Sequence, residues 1–175
     1  MDHLAQQTHS VPRVASEGQA AGALAYETRP TRRLLPRLNS RAGFRVATWN
    51  VLSLQSAEQL TQLSRELDRL QLSIVGLSET RRRDTARVSS GGYTYWWSGR
   101  SPENVASGVG IAVRNDLVPA IAEFTPVSER ILQLRVRHST GFLTFIVVYV
   151  PTEDKDAATK EEFNSLLDSV VVACR

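Results

Sequence analysis

The chain is short of cysteine, of long apolar runs and of any leader pattern, and each shortage removes a class of protein. Its one cysteine, Cys174, stands next to the C-terminus. An internal disulfide and a cysteine-based metal cluster are both ruled out. The longest apolar run, Phe145 to Val150, has the length of a strand, well below the ~18 residues of a membrane-crossing helix. Asp2 and His3 stand where a secretory leader carries its basic region, and Ala20 to Ala25 is a short stretch broken by Gly22. We therefore expect an intracellular protein, neither secreted nor membrane-bound, with the nucleus among the candidate compartments.

Charge of one sign is scarce outside the first residues. The net charge is +3. Residues 1–43 carry six arginines against Asp2, Glu17 and Glu27, which accounts for all of it, while residues 44–175 carry fifteen basic and fifteen acidic side chains. A neutral body says little about nucleic acid. The basic segment reads as a solvated, disordered leader, with a phosphate-attracting arm as the alternative. It lacks helical or strand periodicity, and Pro30 and Pro36 interrupt its Arg/Leu stretch.

What is present looks like one α+β domain over 44–175. Phe44 to Val51 is β-branched and aromatic and reads as a strand. Ser56 is an N-cap candidate with Gln59 as its capping-box partner, and Leu60, Leu63, Leu67 and Leu70 follow at helical spacing. Leu72 to Leu77 suits a buried strand. After an Arg81-Arg82-Arg83-Asp84 loop come strand candidates at Tyr93–Trp97, Gly108–Val113, Leu117–Phe124, Ile131–Val136 and Phe142–Val150, and a helical pattern begins near Asp156. Consecutive strands argue against a doubly wound parallel sheet. Two packed sheets with outer helices fit better.

Two polar residues stand at strand ends, Asn50 on the first strand and Glu79 after the second. A helical crossover between them makes those strands parallel and brings their C-terminal ends to one edge, where α/β folds build sites. A carboxylate beside an amide there supplies half of a Mg²⁺ site, because Mg²⁺ takes oxygen ligands and keeps several waters. The alternative is structural: Asn50 ends a strand and Glu79 pairs with a loop arginine.

Ala47-Thr48-Trp49-Asn50-Val51, Leu77-Ser78-Glu79-Thr80-Arg81, Ser107-Gly108-Val109-Gly110-Ile111-Ala112-Val113 and Val148-Tyr149-Val150-Pro151-Thr152 occur in that order. The series resembles the motifs of the endonuclease/exonuclease/phosphatase (DNase I-like) superfamily. It is similar in particular to the endonuclease domains of non-LTR retrotransposons and to craniofacial development protein 2-like sequences. The resemblance covers Phe44 to the end and implies a partial four-layer sandwich, the front part of that domain. It implies that Glu79 ligates a catalytic divalent metal, Mg²⁺ or Mn²⁺, and that Asn50 sits beside it holding a metal water or a phosphate oxygen. Arg81 and Arg82 would approach substrate phosphate, Tyr149 would set its hydroxyl against the scissile phosphate, and DNA would be the partner. Arg130 takes a position that is structural in the family. Trp96 and Trp97 are read as core residues rather than base-stacking ones, and His138 as a turn residue.

The family pattern continues with Gly-Asp-x-Asn and Ser-Asp-His segments, which do not occur in these 175 residues. Phosphodiester hydrolysis needs a positioned water, a metal and donors at the phosphoryl oxygens. The expectation is thus a Mg²⁺-dependent, DNA endonuclease-like chain with weak or absent activity. The alternative is a non-catalytic nucleic-acid- or protein-binding relic of a retroelement endonuclease. A core partly uncovered, with open strand edges, is expected in either case.

Overall fold

The computed structural model describes Leu38, residues 43–99 and residues 107–174. All of these lie in one compact unit, Leu34–Arg175. The leader expected over 1–43 thus falls outside the described residues except at Leu38 and Gly43. Leu38 is buried and forms a bridge to His138, donating its N–H to the Arg137 carbonyl at 2.7 Å.

The first sheet holds β1 (Val46–Asn50), β2 (Ile74–Ser78), β3 (Ala86–Ser90), β4 (Tyr93–Ser98) and β5 (Val109–Arg114) in the order β1-β2-β5-β4-β3. Between β1 and β2 runs α1 (Ala57–Arg69). The crossover makes these two strands parallel, with Asn50 in register with Ser78, and the other neighbours pair antiparallel. The second sheet is an antiparallel meander of β6 (Ile121–Ser128), β7 (Ile131–His138) and β8 (Gly141–Val148). The helix α2 (Ala157–Ala173) follows, capped by Asp156, whose carboxylate accepts from the Thr159 N–H.

Local chemistry explains the ends of α1. Ser56 Oγ accepts from the Gln59 N–H at 3.2 Å and Gln59 Oε1 accepts from the Ser56 N–H at 3.0 Å, the reciprocal cap expected from the sequence. At the other end Gln71 adopts φ +53°, the Leu72 N–H reaches back to the Leu67 carbonyl and the Gln71 N–H to that of Asp68. This left-handed stop satisfies carbonyls that the helix leaves open.

Period-two alternation sorts the core into layers. Ile74, Val109, Ile111, Val113 and Trp96 of the first sheet face Leu132, Leu134 and Val136 of β7. On the other face Val75, Leu77, Tyr95, Trp97 and Ala112 meet Leu60, Leu63 and Leu67 of α1. Phe163 and Val170 of α2 pack on Ile131 at the outer side of the second sheet. The result is the expected sandwich of two sheets with a helix outside each. Trp96 and Trp97 point to opposite faces and are both buried, because each face carries a layer. Neither is placed to stack on a base.

Two local expectations need correction. The stretch after Arg83 is not all loop, since β3 pairs with β4 there. It is an edge strand with its middle exposed and lacks the apolar alternation that marks a half-buried strand. Leu117–Phe124 does not run as one strand either: Val118–Ala120 is a 3-10 turn with Pro119 inside it, and β6 begins at Ile121. That strand continues through Pro126, which an edge strand tolerates at a break in register.

Among the described residues three strands face five, so that β8 is an edge and the inner face of β1 is left partly uncovered. Val46 is 51% exposed. A cleft of about 180 Å³ opens there, lined by Val46, Thr48, Gly76, Phe145 and Val147. Among the described residues no helix is long and apolar enough to cross a membrane.

Candidate active site

Parallel pairing of β1 with β2 puts their C-terminal ends side by side, and the chain departs from both strands in tight turns. After Asn50, the Val51 N–H still bonds the Ser78 carbonyl at 3.1 Å. Leu52 then turns with φ +57° and donates its N–H to Asn50 Oδ1 at 3.2 Å. On β2, Glu79 and Arg81 have φ of +56° and +55°. Non-glycine residues rarely adopt this conformation, and it persists only where the surroundings enforce it.

The enforcing contacts come from the start of β5. The Thr80 and Arg81 N–H groups donate to the carbonyls of Gly108 (3.0 Å) and Ser107 (3.2 Å), and the Leu54 N–H donates to the Thr80 carbonyl at 3.0 Å. Thr80 is fully buried. Gly108, at φ +113°, passes so close that a β-carbon there would lie 2.7 Å from Thr80 Oγ1. The Glu79 turn is thus clamped from both sides by backbone, and only glycine fits at 108.

The clamp aims the Glu79 carboxylate, whose side chain is 15% exposed, into a polar cluster. Asn50 Nδ2 donates to Oε1 at 2.7 Å and the Tyr149 hydroxyl donates to the same oxygen at 3.1 Å. Arg81 Nη2 lies 3.7 Å from Oε2. Tyr149 enters from the second sheet, one residue past β8. Burial first, then the neighbouring Glu79 carboxylate, pushes its hydroxyl above the ordinary tyrosine value, so at neutral pH it stays protonated and serves as a donor.

Arg130 sits beneath Tyr149. Its guanidinium donates to the Tyr149 carbonyl at 3.2 Å, lies 5.2 Å from the centre of its ring, and is nearly buried; the Tyr149 N–H bonds the Arg130 carbonyl at 2.9 Å. Arg130 therefore holds Tyr149 without reaching the carboxylate.

The residues singled out in the sequence are partly united. Asn50, Glu79, Tyr149 and Arg81 converge. Arg82 does not join them: its guanidinium lies over the Trp97 ring at 4.5 Å, and burial lowers its pKa. It lines a neighbouring depression of about 300 Å³ with Gln55, Arg81, Arg83 and Asp84. His138 stands at the far end of β7, its ring nitrogen 2.9 Å from the Thr140 hydroxyl. The Thr80–Gly108 clamp and the Leu52 turn are invisible in the sequence, because left-handed backbone at Leu, Glu and Arg leaves no compositional trace.

For a divalent metal the donor set is small. Among the described residues no group of three or more His, Cys, Asp or Glu side chains gathers at one place. Glu79 alone offers carboxylate oxygens. Asn50 spends its carbonyl on Leu52 and its amide N–H on Glu79, so in this orientation it is a donor beside the carboxylate. One carboxylate fits Mg²⁺, which is commonly held by one or two such groups together with water and substrate phosphate.

Comparison with known proteins bears on the fold and the family. The curated relative craniofacial development protein 2 of Tragulus javanicus is 27% identical over 107 residues, which are 61% of this chain and 18% of that protein. The AP endonuclease LMAP from Leishmania major shares the fold with a TM-score of 0.51 and 15% identity, covering 69% of this chain and 44% of that one. The endonuclease domain of TRAS1, a telomere-specific non-LTR retrotransposon, does so with a TM-score of 0.53 and 18% identity, covering 73% and 53%. The chain thus spans about half or less of the proteins it matches. A family model, Endonuclease/Exonuclease/phosphatase family, matches residues 47–172, and the chain belongs to that family.

Proposed function

We propose that the Asn50–Glu79–Tyr149 cluster is the metal side of a Mg²⁺-dependent phosphodiesterase site that acts on DNA. The observation that carries the reading is the convergence of an amide, a phenol and an arginine on one carboxylate, drawn from both sheets. A structural ion pair would need Arg81 alone. Glu79 would hold the metal, with Mn²⁺ able to replace Mg²⁺. Bound there, the ion supplies Lewis-acid neutralisation of charge on a phosphoryl oxygen.

The chain's own groups do the rest. Asn50 and Tyr149 fix the carboxylate; the second amide hydrogen of Asn50 is left for a phosphate oxygen, and the single O–H of Tyr149 would reach one by turning from Glu79. Arg81 adds positive charge beside the position that phosphate would take. Arg83 would add charge from the neighbouring loop depression, where Arg82 lies over Trp97. The strained turn keeps Glu79 in place before any ligand arrives, as electrostatic preorganisation requires.

The test is nicking of supercoiled DNA by the purified chain in Mg²⁺. Slow nicking that a chelator abolishes is expected, and nicking that persists in excess chelator would remove the metal from the reading. Tyr149→Phe is expected to slow nicking about a hundredfold, the usual effect of deleting one donor to developing charge. Its stability should change by no more than about 1 kcal/mol, because ring and backbone contacts with Arg130 survive. An unchanged rate would show that the hydroxyl is only structural.

A second reading, binding of nucleic acid without turnover, draws on the Arg81–Arg83 loop. It predicts salt-sensitive binding with no cleavage in Mg²⁺.

A further inference from the structure

Four non-glycine residues among those described have left-handed backbone: Leu52, Gln71, Glu79 and Arg81. Three are accounted for. Gln71 stops α1, and Glu79 and Arg81 belong to the polar cluster. Leu52 is the fourth, and its turn explains only the backbone, since glycine would make the same bond to Asn50 Oδ1 at less strain. A leucine there costs about 1 kcal/mol, and burial does not offset it, because Leu52 is 62% exposed. A lone exposed leucine means little in general. This one stands exposed on a strained turn, two residues from Asn50.

Leu52 also borders a groove. Between the loop after β1 and α1 lies a depression of about 380 Å³ lined by Leu52, Asn50, Trp49, Leu63, Gln62 and Glu66, among others. Trp49 is half-buried and Gln62 is exposed. Glu66 is paired with Arg69 at 2.9 Å, and neither arginine nor lysine lines the groove. Phosphate finds no cation there, and the Glu66 carboxylate would repel it. A flat neutral ring does: it finds apolar surface on Leu52 and Trp49 and an exposed amide on Gln62. Asn50 belongs both to this groove and to the carboxylate cluster.

We infer that this groove is a nucleoside subsite. It takes the sugar and base next to the phosphate held at Glu79, with Leu52 as its apolar wall. The inference rests on the nuclease reading and assigns the place where the DNA of that reading sets the nucleoside beside the reacting phosphate. Leu52 contacts substrate through packing, so its loss weakens binding without altering the count of phosphate contacts.

The experiment is fluorescence anisotropy of a short labelled DNA duplex titrated with the full chain, in chelator, across a range of salt. Leu52→Gly should weaken binding about tenfold, the loss of one apolar side-chain contact. The slope of affinity against salt should be unchanged. Its melting temperature should match or exceed that of the unaltered chain, because glycine relieves the left-handed strain. Leu52→Ala, which keeps the strain, should show the same loss of affinity. Affinity unchanged in both variants, with the unaltered chain binding normally, overturns the subsite and leaves the nuclease reading standing. An unaltered chain that binds no duplex either in chelator or in Mg²⁺ overturns both.

Discussion

Gly108→Ala is expected to lower stability by about 3 kcal/mol, through left-handed strain and overpacking combined. For a domain of this size that is a fall of about 10 °C in melting temperature. The added β-carbon would stand 2.7 Å from Thr80 Oγ1 and 3.3 Å from the Arg81 backbone nitrogen. The turn that carries Glu79 would have to move. A double-mutant cycle isolates the clamp. Thr80 Oγ1 is buried without a hydrogen-bond partner, so Thr80→Ala alone should cost no more than about 1 kcal/mol. In that background Gly108→Ala should cost less by about 1 kcal/mol or more, the coupling expected of residues in contact. Strict additivity in thermal melts would show that steric contact with Thr80 is not what constrains the turn.

Glu79→Gln should reduce Mg²⁺-dependent nicking about a thousandfold, because it removes the one carboxylate of the cluster while other members remain. The substituted side chain keeps a carbonyl oxygen to accept from Asn50 and Tyr149, so the fold should be preserved and melting nearly unchanged. The rate loss then reports charge rather than collapse. Equal nicking rates in the two proteins would assign the activity to another site or to a contaminant.

The two readings diverge on the same variant. If the cluster only binds, Glu79→Gln should tighten the hold on duplex DNA, since it deletes a negative charge next to Arg81. If it hydrolyses, the lost rate dominates whatever binding gains. Measuring both on one preparation separates them.

Much of this architecture is legible in the residues. The crossover from β1 through α1 to β2 follows from aromatic and β-branched runs on either side of a capped, leucine-striped helix. It is enough to place Asn50 beside Glu79. Tyr149 joins them through motif resemblance alone, since nothing in spacing says that a residue past β8 returns to the edge of the other sheet. β3 is hidden because an edge strand with exposed middle residues has no buried face to imprint a pattern. The place of Arg82 in the loop suggests a phosphate ligand, whereas packing lays it over Trp97. Leu52 and Thr80 are silent because their roles arise from backbone conformation and close approach, which are properties of the folded chain.

The sheet edges bear on association. β8 has no charged residue between Gly141 and Val148, although charges and proline are what protect edge strands from pairing with other chains. Among the described residues its outer edge pairs with no strand, and it borders the same cleft as the partly bare inner face of β1. The polar cluster does not depend on that cleft, since its members are held by β1, β2, β5 and the Arg130–Tyr149 pair.

Metal binding reads Glu79 without requiring turnover. Mn²⁺ titrated into the unaltered chain and into Glu79→Gln, followed by the paramagnetic signal of the free ion, counts the sites in each. One Mn²⁺ should bind to the unaltered chain, be displaced by Mg²⁺ and be lost in the variant. Equal Mn²⁺ binding by both proteins would rule out Glu79 as the metal ligand.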